Sequence, residues 1–228
     1  MSIWFVPRDA AARSMGADAV ANALEARGES VIRNGSRGML WMEPLVERAD
    51  ERHGPRVGWA NVTAGQIDAG LPDEQADNFI GVVEEFDYLA RQNRWIYERV
   101  GITDPVDPED YVAHGGLTGL KNALAMSGGD VVQAVTDSGL RGRGGAGFPA
   151  GIKWRTVADQ PPAPHAGESP NAPVHKYICV NADEGDSGTF ADRMLMEGDP
   201  FCLLEGMTIA AHAVGADRGS VYLRSEYP

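Results

Sequence analysis

The chain has 228 residues and a mass of 24.4 kDa, enough for one large or two small domains that bury roughly 70% of the unfolded surface. Hydrophobic residues make up 43% and charged residues 23%, which excludes a wholly disordered or fibrous chain. Against 20 Lys+Arg stand 33 Asp+Glu, a formal charge of -13 that argues against nucleic acid and anionic membranes as partners.

With only Cys179 and Cys202, neither in a C-x-x-C pair, a disulfide framework, a thiolate zinc site and an iron–sulfur cluster held by this chain alone are disfavoured. A reducing compartment follows. Met1–Pro7 lacks the basic region of a signal peptide, and no stretch reaches the ~18 apolar residues of a membrane span, so no membrane insertion and a cytoplasmic location are expected.

In chain order, Ile3–Val6 reads as a strand, and Met15, Val20 and Leu24 recur at helical spacing. A second strand is predicted at Ser30-Val-Ile-Arg33, then a loop over Asn34–Gly38, then a hairpin from the Met39–Val46 region and Val57-Gly-Trp59. Thr63 and Gln66 stand at capping-box spacing, starting a helix to about Leu71. Residues 1–75 thus read as a small α/β sandwich. The segment 76–115 is richer in acids and places Phe86, Tyr88, Leu89, Trp95, Ile96 and Tyr97 on a helix, as a connector. Helices return at Leu117–Met126 and Val131–Val135, and a Pro-rich surface loop is predicted over 159–175. Tyr177–Val180 is a strand, Thr189 caps a helix to about Glu197, Phe201–Ala213 is another helix, and Val221-Tyr-Leu223 a second strand. Strand, helices, strand implies a parallel α/β unit with a crevice at the carboxyl ends of its strands.

The chemistry concentrates in Ser138–Arg155. Between Asp137 and Asp159 lie Arg141, Arg143, Lys153 and Arg155 and no acid, a local charge of +4 in an acidic chain. Glycines let backbone N–H groups converge on a ligand, and Pro149 suits the first position of a helix whose free N–H groups favour an anion. A phosphate fits all three features; an unliganded basic loop fits the composition as well. Gly142-x-Gly144-x-x-Gly147 matches the dinucleotide fingerprint, but a helix instead of a strand precedes it, and no Gly-Lys-Ser/Thr is present for a P-loop.

The second constellation is Asn181-Ala-Asp-Glu-Gly-Asp186, three carboxylates and an amide at the end of a predicted strand. Carboxylates repel phosphate and suit hydroxyl donors such as a ribityl or ribose chain. A cation and a solvated Asx-turn are the other readings, and the spacing is not that of an EF-hand. Phe148 either stacks on a planar ring or packs in the core. The five His residues, at 53, 114, 165, 175 and 212, show no ligand spacing and are expected on the surface, so no metal ligand is assigned. Nucleophilic catalysis has no support in a G-x-S-x-G elbow or a Ser–His pair, and Cys202 is expected in the core.

Arg141-Gly-Arg-Gly-Gly-Ala-Gly-Phe-Pro-Ala-Gly-Ile-Lys-Trp154, Asn181–Arg193 and Glu205-Gly-Met207 resemble the flavin subunit of respiratory complex I and its relatives, over about residues 101–228. The relatives include the diaphorase subunit of NAD-reducing hydrogenases and the beta subunit of molybdenum-containing, NAD-dependent formate dehydrogenases. Ser36-x-Gly38-x-Leu40-x-x-Glu43-Pro44 resembles the cluster loop of thioredoxin-like [2Fe-2S] ferredoxins with both cysteines replaced, by Ser36 and Leu40. A cluster-free domain of that kind before a flavin module looks most like the formate dehydrogenase beta subunit. The resemblance implies an α/β fold with a thioredoxin-like domain over 1–75, a connector over 76–115 and the start of a complex I flavoprotein-type FMN/NAD(H)-binding domain over 116–228.

It further implies that Gly142, Gly144 and Gly145 with Arg143 and Lys153 cradle the FMN phosphate and adjacent groups. Asn181, Asp183 and Glu184 would bind the ribityl chain and ring edge, Phe148 would stack on NAD(H), and Asp186 would hydrogen-bond the nucleotide. Asp186 is shorter than the Glu of many relatives, and Thr156 replaces an adenine-stacking aromatic of some. The implied activity is FMN-dependent NAD(H) oxidoreduction with no catalytic side chain, in a hetero-oligomer with iron–sulfur and molybdenum-containing subunits. The family's module continues past residue 228 into a flavin-facing region and an iron–sulfur domain, so the resemblance implies an amino-terminal portion with little diaphorase activity by itself. A diaphorase subunit of an NAD-reducing hydrogenase and a non-catalytic assembly protein retaining the fold are the alternatives.

Overall fold

A computed structural model describes residues 2–143, 145–161, 169, 174–186 and 188–227. In chain order its elements begin with β1 (Ile3–Phe5), α1 (Ala10–Ser14), α2 (Ala17–Ala26), β2 (Ser30–Ile32), β3 (Val46–Ala49), β4 (Val57–Trp59), α3 (Ala64–Ala69), β5 (Phe79–Val82), α4 (Asp87–Ala90) and α5 (Pro108–Ala113). They continue with α6 (Thr118–Leu124), α7 (Gly128–Asp137), α8 (Ala150–Asp159), β6 (Tyr177–Ala182), α9 (Ala191–Gly198), α10 (Pro200–Val214) and β7 (Arg218–Leu223). No helix among the described residues is long and apolar enough to cross a membrane. The fold class is mixed α/β, as the sequence implies, in two units.

The first unit comprises the chain to His114 together with Phe190–Pro200. Its sheet has the order β2-β1-β3-β4-β5, with β1 parallel to β2 and the other neighbours antiparallel. A parallel pair joined through helices is thus extended by antiparallel neighbours. The core forms because Trp4, Val46 and Trp59 point from the strands onto Val20, Ala21 and Leu24 of α2 and Ile67 of α3. Each such side chain contributes about 1.5–3 kcal/mol on burial. Trp4 and Trp59 pack at 5.6 Å, and both indole N–H groups are satisfied, by the Glu29 carboxylate at 3.0 Å and the Asp73 carbonyl at 2.7 Å. The capping box at Thr63 and Gln66 is formed as its spacing predicts.

The first unit extends beyond the sequence boundary at residue 75. Phe79–Val82 adds a fifth strand to the same sheet, and packing continues to His114. The long helix expected around Trp95 is absent: only Asp87–Ala90 is helical. Beyond it, turns let Arg94 reach Glu84 (3.2 Å), the Tyr97 hydroxyl reach the Ala191 carbonyl (3.1 Å) and Arg99 reach Asp199 (2.9 Å). The helix predicted after Thr189 exists as α9, with Phe190 at its cap, and it groups with the first unit instead of the flavin segment. Close approach explains this: a Cβ on Gly35 would lie 2.9 Å from the Gly198 Cα, and one on Gly198 would lie 2.8 Å from a Val100 methyl.

The second unit comprises Gly115–Thr189 and the chain from Phe201. Here β6 and β7 run parallel in the register Tyr177↔Arg218 to Ala182↔Leu223, as the strand, helices, strand reading predicts. Val131 and Val132 of α7 and Ala213 and Val214 of α10 form its core, against which Trp154 and Ala158 of α8 and Ile178 of β6 pack. Leu117 at the head of α6 has no side-chain cap of its own; the Glu205 carboxylate of α10 accepts the Leu117 and Leu120 amides at 2.7 and 2.8 Å instead. In the Pro-rich loop, residues 162–168 and 170–173 lie outside the described residues, as do Gly144 and Ser187.

Candidate functional site

The glycine turn leaves α7 and is pinched shut before α8. The Ala150 amide donates to the Leu140 carbonyl and the Gly142 amide to the Phe148 carbonyl, both at 2.8 Å, with an antiparallel bridge between Arg141 and Pro149. Residues 142–148 therefore form a closed loop on a short neck. Gly145 (φ +83°) and Gly147 (φ +58°) lie in the left-handed region, which explains why glycine stands there. Pro149 precedes α8 and supplies no side-chain cap; with the Ala150 amide on Leu140 and the Lys153 amide on the Pro149 carbonyl, the Gly151 and Ile152 amides are the leading N–H groups open to a ligand. Gly142, Arg143, Gly145 and Lys153 are exposed, and neither cation has an ion-pair partner among the described residues. Arg155 is occupied by Gln133 (3.1 Å). Phe148 is 54% exposed, which decides against core packing.

The acidic turn follows directly from β6. Asn181 Oδ1 accepts the Asp183 amide at 3.1 Å, and Glu184 takes a positive φ of 41°. Asn181, Asp183 and Asp186 are exposed and Glu184 is half-buried. Two residues not singled out in the sequence hold this turn. Arg224 donates to the Glu184 carbonyl at 2.7 Å, and the Tyr227 hydroxyl donates to the Glu184 carboxylate. Glu226 holds the Arg224 guanidinium above its ordinary value, with Asp183 adding to the effect. The register gives the signal that could have found Arg224: Ala182 pairs with Leu223, so the residues that follow each strand leave the sheet side by side.

Lys176 relates the two turns. Its Nζ donates to the carbonyls of Val157 (3.0 Å) and Ala158 (2.9 Å) in α8 and of Val214 (3.0 Å) in α10. A cation thus satisfies the carboxyl ends of two helices at the start of β6. Helix α8, about 15 Å long, consequently ends where β6 begins, and the glycine turn lies at its other end. Arg143, Gly145, Phe148 and Lys153 belong to that turn and helix start, and Asn181, Asp183, Glu184 and Asp186 to the turn that follows β6. Gly144 lies outside the described residues.

Side-chain cations and open backbone amides in one turn, and hydroxyl acceptors in the other, are the chemistry that suits a phosphorylated polyol. The donor set, with an uncapped helix start and two cations without ion-pair partners among the described residues, fits the phosphate end of FMN in particular. Residues 135–228 match the Nuo51 FMN-binding domain of the Complex1_51K family. Both turns of the site fall inside the Nuo51 match. Among curated proteins, the NADP-reducing hydrogenase subunit HndC of Solidesulfovibrio fructosivorans is 45% identical over 138 residues, 60% of this chain and 26% of that protein. A subunit of the NADH-quinone oxidoreductase of Rhizobium meliloti is 48% identical over 118 residues, 51% of this chain and 25% of that protein. The NAD-reducing hydrogenase HoxS subunit alpha of Cupriavidus necator is 45% identical over 108 residues, 47% of this chain and 16% of that protein. The chain spans about a quarter of the length of the first curated relatives it matches. Among solved structures, an NAD+-reducing NiFe-hydrogenase in the air-oxidized state aligns over 99% of this chain and 38% of its own, at 25% identity and a TM-score of 0.43.

Proposed function

We propose that residues 116–228 bind FMN between the two turns and that the chain is the NAD(H)-facing flavin part of a larger oxidoreductase. The observation that carries this reading is the presence of a closed cationic glycine turn and an acidic turn after a parallel strand within one unit, in a segment that matches the Nuo51 FMN-binding domain. When bound, FMN supplies the centre that exchanges hydride with a nicotinamide.

The residues of the chain bind and orient. The amides of Gly142, Gly144 and Gly145, with Arg143 and Lys153, hold the phosphate. Asn181, Asp183 and Glu184 accept hydrogen bonds from the ribityl hydroxyls and face the ring edge, with Glu184 fixed by Arg224 and Tyr227. Phe148 offers its exposed ring to NAD(H), and Asp186 accepts from a nucleotide hydroxyl. No side chain is assigned a proton-transfer role, since hydride exchange between two rings needs stacking more than acid–base help.

The finer reading is the beta subunit of a cytoplasmic, molybdenum-containing formate dehydrogenase, with iron–sulfur and molybdenum subunits as partners. Ser36 and Leu40 support it. Ser36 is buried and donates to Glu43 at 2.6 Å, and Leu40 is largely exposed, so this loop offers hydrogen bonds where a cluster would need thiolates. Formate-driven NAD+ reduction by the assembly captured on this chain is the expected result; hydrogen-driven reduction would replace formate dehydrogenase with a hydrogenase diaphorase.

Titration of the chain with FMN, read by quenching of flavin fluorescence, tests the site itself. Lys153→Ala is expected to weaken binding by about 1–3 kcal/mol, roughly 5- to 150-fold, as for loss of a charge-assisted contact. An unchanged affinity removes Lys153 from the phosphate, and no flavin uptake by the native chain removes the reading. Phe148→Ala is expected to raise the apparent dissociation constant for NADH in the flavin-loaded assembly while leaving FMN affinity near native.

A further inference from the structure

The histidines at 53 and 114 look scattered in sequence, yet they meet in the first unit. Their rings stand 4.8 Å apart and nearly edge to face. Asp110 and His114 are one helical turn apart on α5 and its cap, so they share a face. His53 comes from the turn between β3 and β4. One ligand atom from each of His53, Asp110 and His114 lies within 4.8 Å of the other two. We propose that these three side chains bind one divalent cation of the zinc class.

Two features of the cluster point to a cation. The His114 Nδ1 hydrogen donates to the Asp110 backbone carbonyl at 2.8 Å, with Nδ1 also 3.7 Å from the Asp110 carboxylate, which leaves Nε2 as the nitrogen with a lone pair to offer. Metal-binding imidazoles are commonly fixed in this way, the second nitrogen donating to a carbonyl or carboxylate. Asp110 is 5% exposed and is itself oriented, its Oδ2 accepting the Asp104 amide at 2.8 Å and its Oδ1 facing Arg52 Nε at 3.2 Å. Arg52 also pairs with Asp107 at 2.7 Å, so two carboxylates share one guanidinium, and Arg56 adds its charge against Asp110.

Two imidazoles and a carboxylate are the ligand chemistry of zinc and its neighbours, whereas magnesium and calcium favour oxygen alone. Ligand nitrogens at about 2.0–2.1 Å from a tetrahedral zinc lie about 3.3 Å apart. His53 is exposed and free to rotate inward by the remaining ångström or so, while buried Asp110 and half-buried His114 stay as they are. The remaining positions would go to water. Bound there, the ion joins the β3–β4 turn to α5, a link across 57 positions of sequence between Arg52, His53 and Asp110 that the protein otherwise makes through the Arg52 ion pairs.

The experiment is a calorimetric titration of the full chain, stripped with a chelator and dialysed, with zinc chloride alone. One equivalent is expected, with a rise in the thermal midpoint that follows the zinc concentration. His53→Ala, at an exposed position, is expected to weaken binding by at least the 10–100-fold typical of perturbing a metal's outer shell, and His114→Gln likewise. His175→Ala, at a histidine paired with Asp217, is expected to bind as the native chain does. Substitution with cobalt should give the intense visible bands of a four- or five-coordinate site, and His53→Ala should lose them. Native-like zinc affinity in His53→Ala, or binding abolished by Cys179→Ser instead, overturns the proposal.

Discussion

Glu43 shows how a single buried carboxylate can make stability depend on pH. It is 1% exposed and accepts the Ser36 hydroxyl at 2.6 Å and the Leu45 amide at 2.9 Å. Burial pushes its carboxyl up to about 7, against the two hydrogen bonds and with help from the charges of Asp9 and Glu47. Between its ordinary value near 4.5 and about 7, the unfolded chain has released a proton that the folded chain keeps. Stability therefore falls as pH rises through that window and levels off above it. Glu43→Gln removes the charge, its one oxygen accepting the Leu45 amide and its NH2 donating to the Ser36 hydroxyl oxygen, so it should flatten this dependence and gain up to about 3 kcal/mol at pH 8; urea midpoints of both proteins across the window check it, and parallel curves would refute it. Neighbouring Glu47 behaves oppositely. Burial disfavours its charge, but Arg37, which grips both oxygens at 2.8 and 2.9 Å, and Arg56 outweigh burial and hold the carboxyl below its ordinary value. Its contribution is lost only at more acid pH, outside the Glu43 window.

At the scale of elements, the placement of α8 governs the proposed flavin site, and Gly151 sets how closely α8 packs on α7. A Cβ there would lie 2.3 Å from Thr136 Oγ1 and 2.6 Å from Thr136 Cα, so α7 and α8 must part to accept one. Gly151→Ala is expected to cost about 1–3 kcal/mol by overpacking and to weaken FMN binding, because the glycine turn lies between the two helices. Gly206 of α10 has open space at the same test, and Gly206→Ala should be neutral or stabilising by up to about 1 kcal/mol. Chemical denaturation of the two variants, with FMN titration alongside, checks both, and equal stabilities would show that the helix contact does not govern the site. The pattern that revealed α2, α3, α7 and the β6–β7 pair was local: apolar spacing, a capping box, and runs bounded by turns. The short β5 and the turns over 91–103 carry no such period. They are set by partners far along the chain, Glu84 for Arg94 and Asp199 for Arg99.

Across the whole molecule, the first unit is completed by residues 190–200 from beyond the flavin segment's first strand. A fragment ending at His114 lacks α9 and Asp199, exposing Gly35 and Val100 and removing the buried acid that Arg99 grips. Such a fragment should unfold at lower urea than the first unit of the full chain and bind more hydrophobic dye; matching midpoints would contradict this role for α9. Charge works at the same scale. The glycine turn is cationic within a chain of -13, and attraction of a phosphate to it should weaken with added salt. The sequence by itself determined the chemistry available: glycines and cations in one run, and carboxylates and an amide in another. These are matters of composition over a few neighbours, and no packing is needed to read them. Only the tertiary structure decided that β6 and β7 pair in parallel, that Arg224 and Tyr227 hold Glu184, that α9 completes the first unit, and that His53 reaches Asp110 and His114. Those outcomes depend on strand register, helix direction and close backbone approach between distant segments, and no local spacing encodes them.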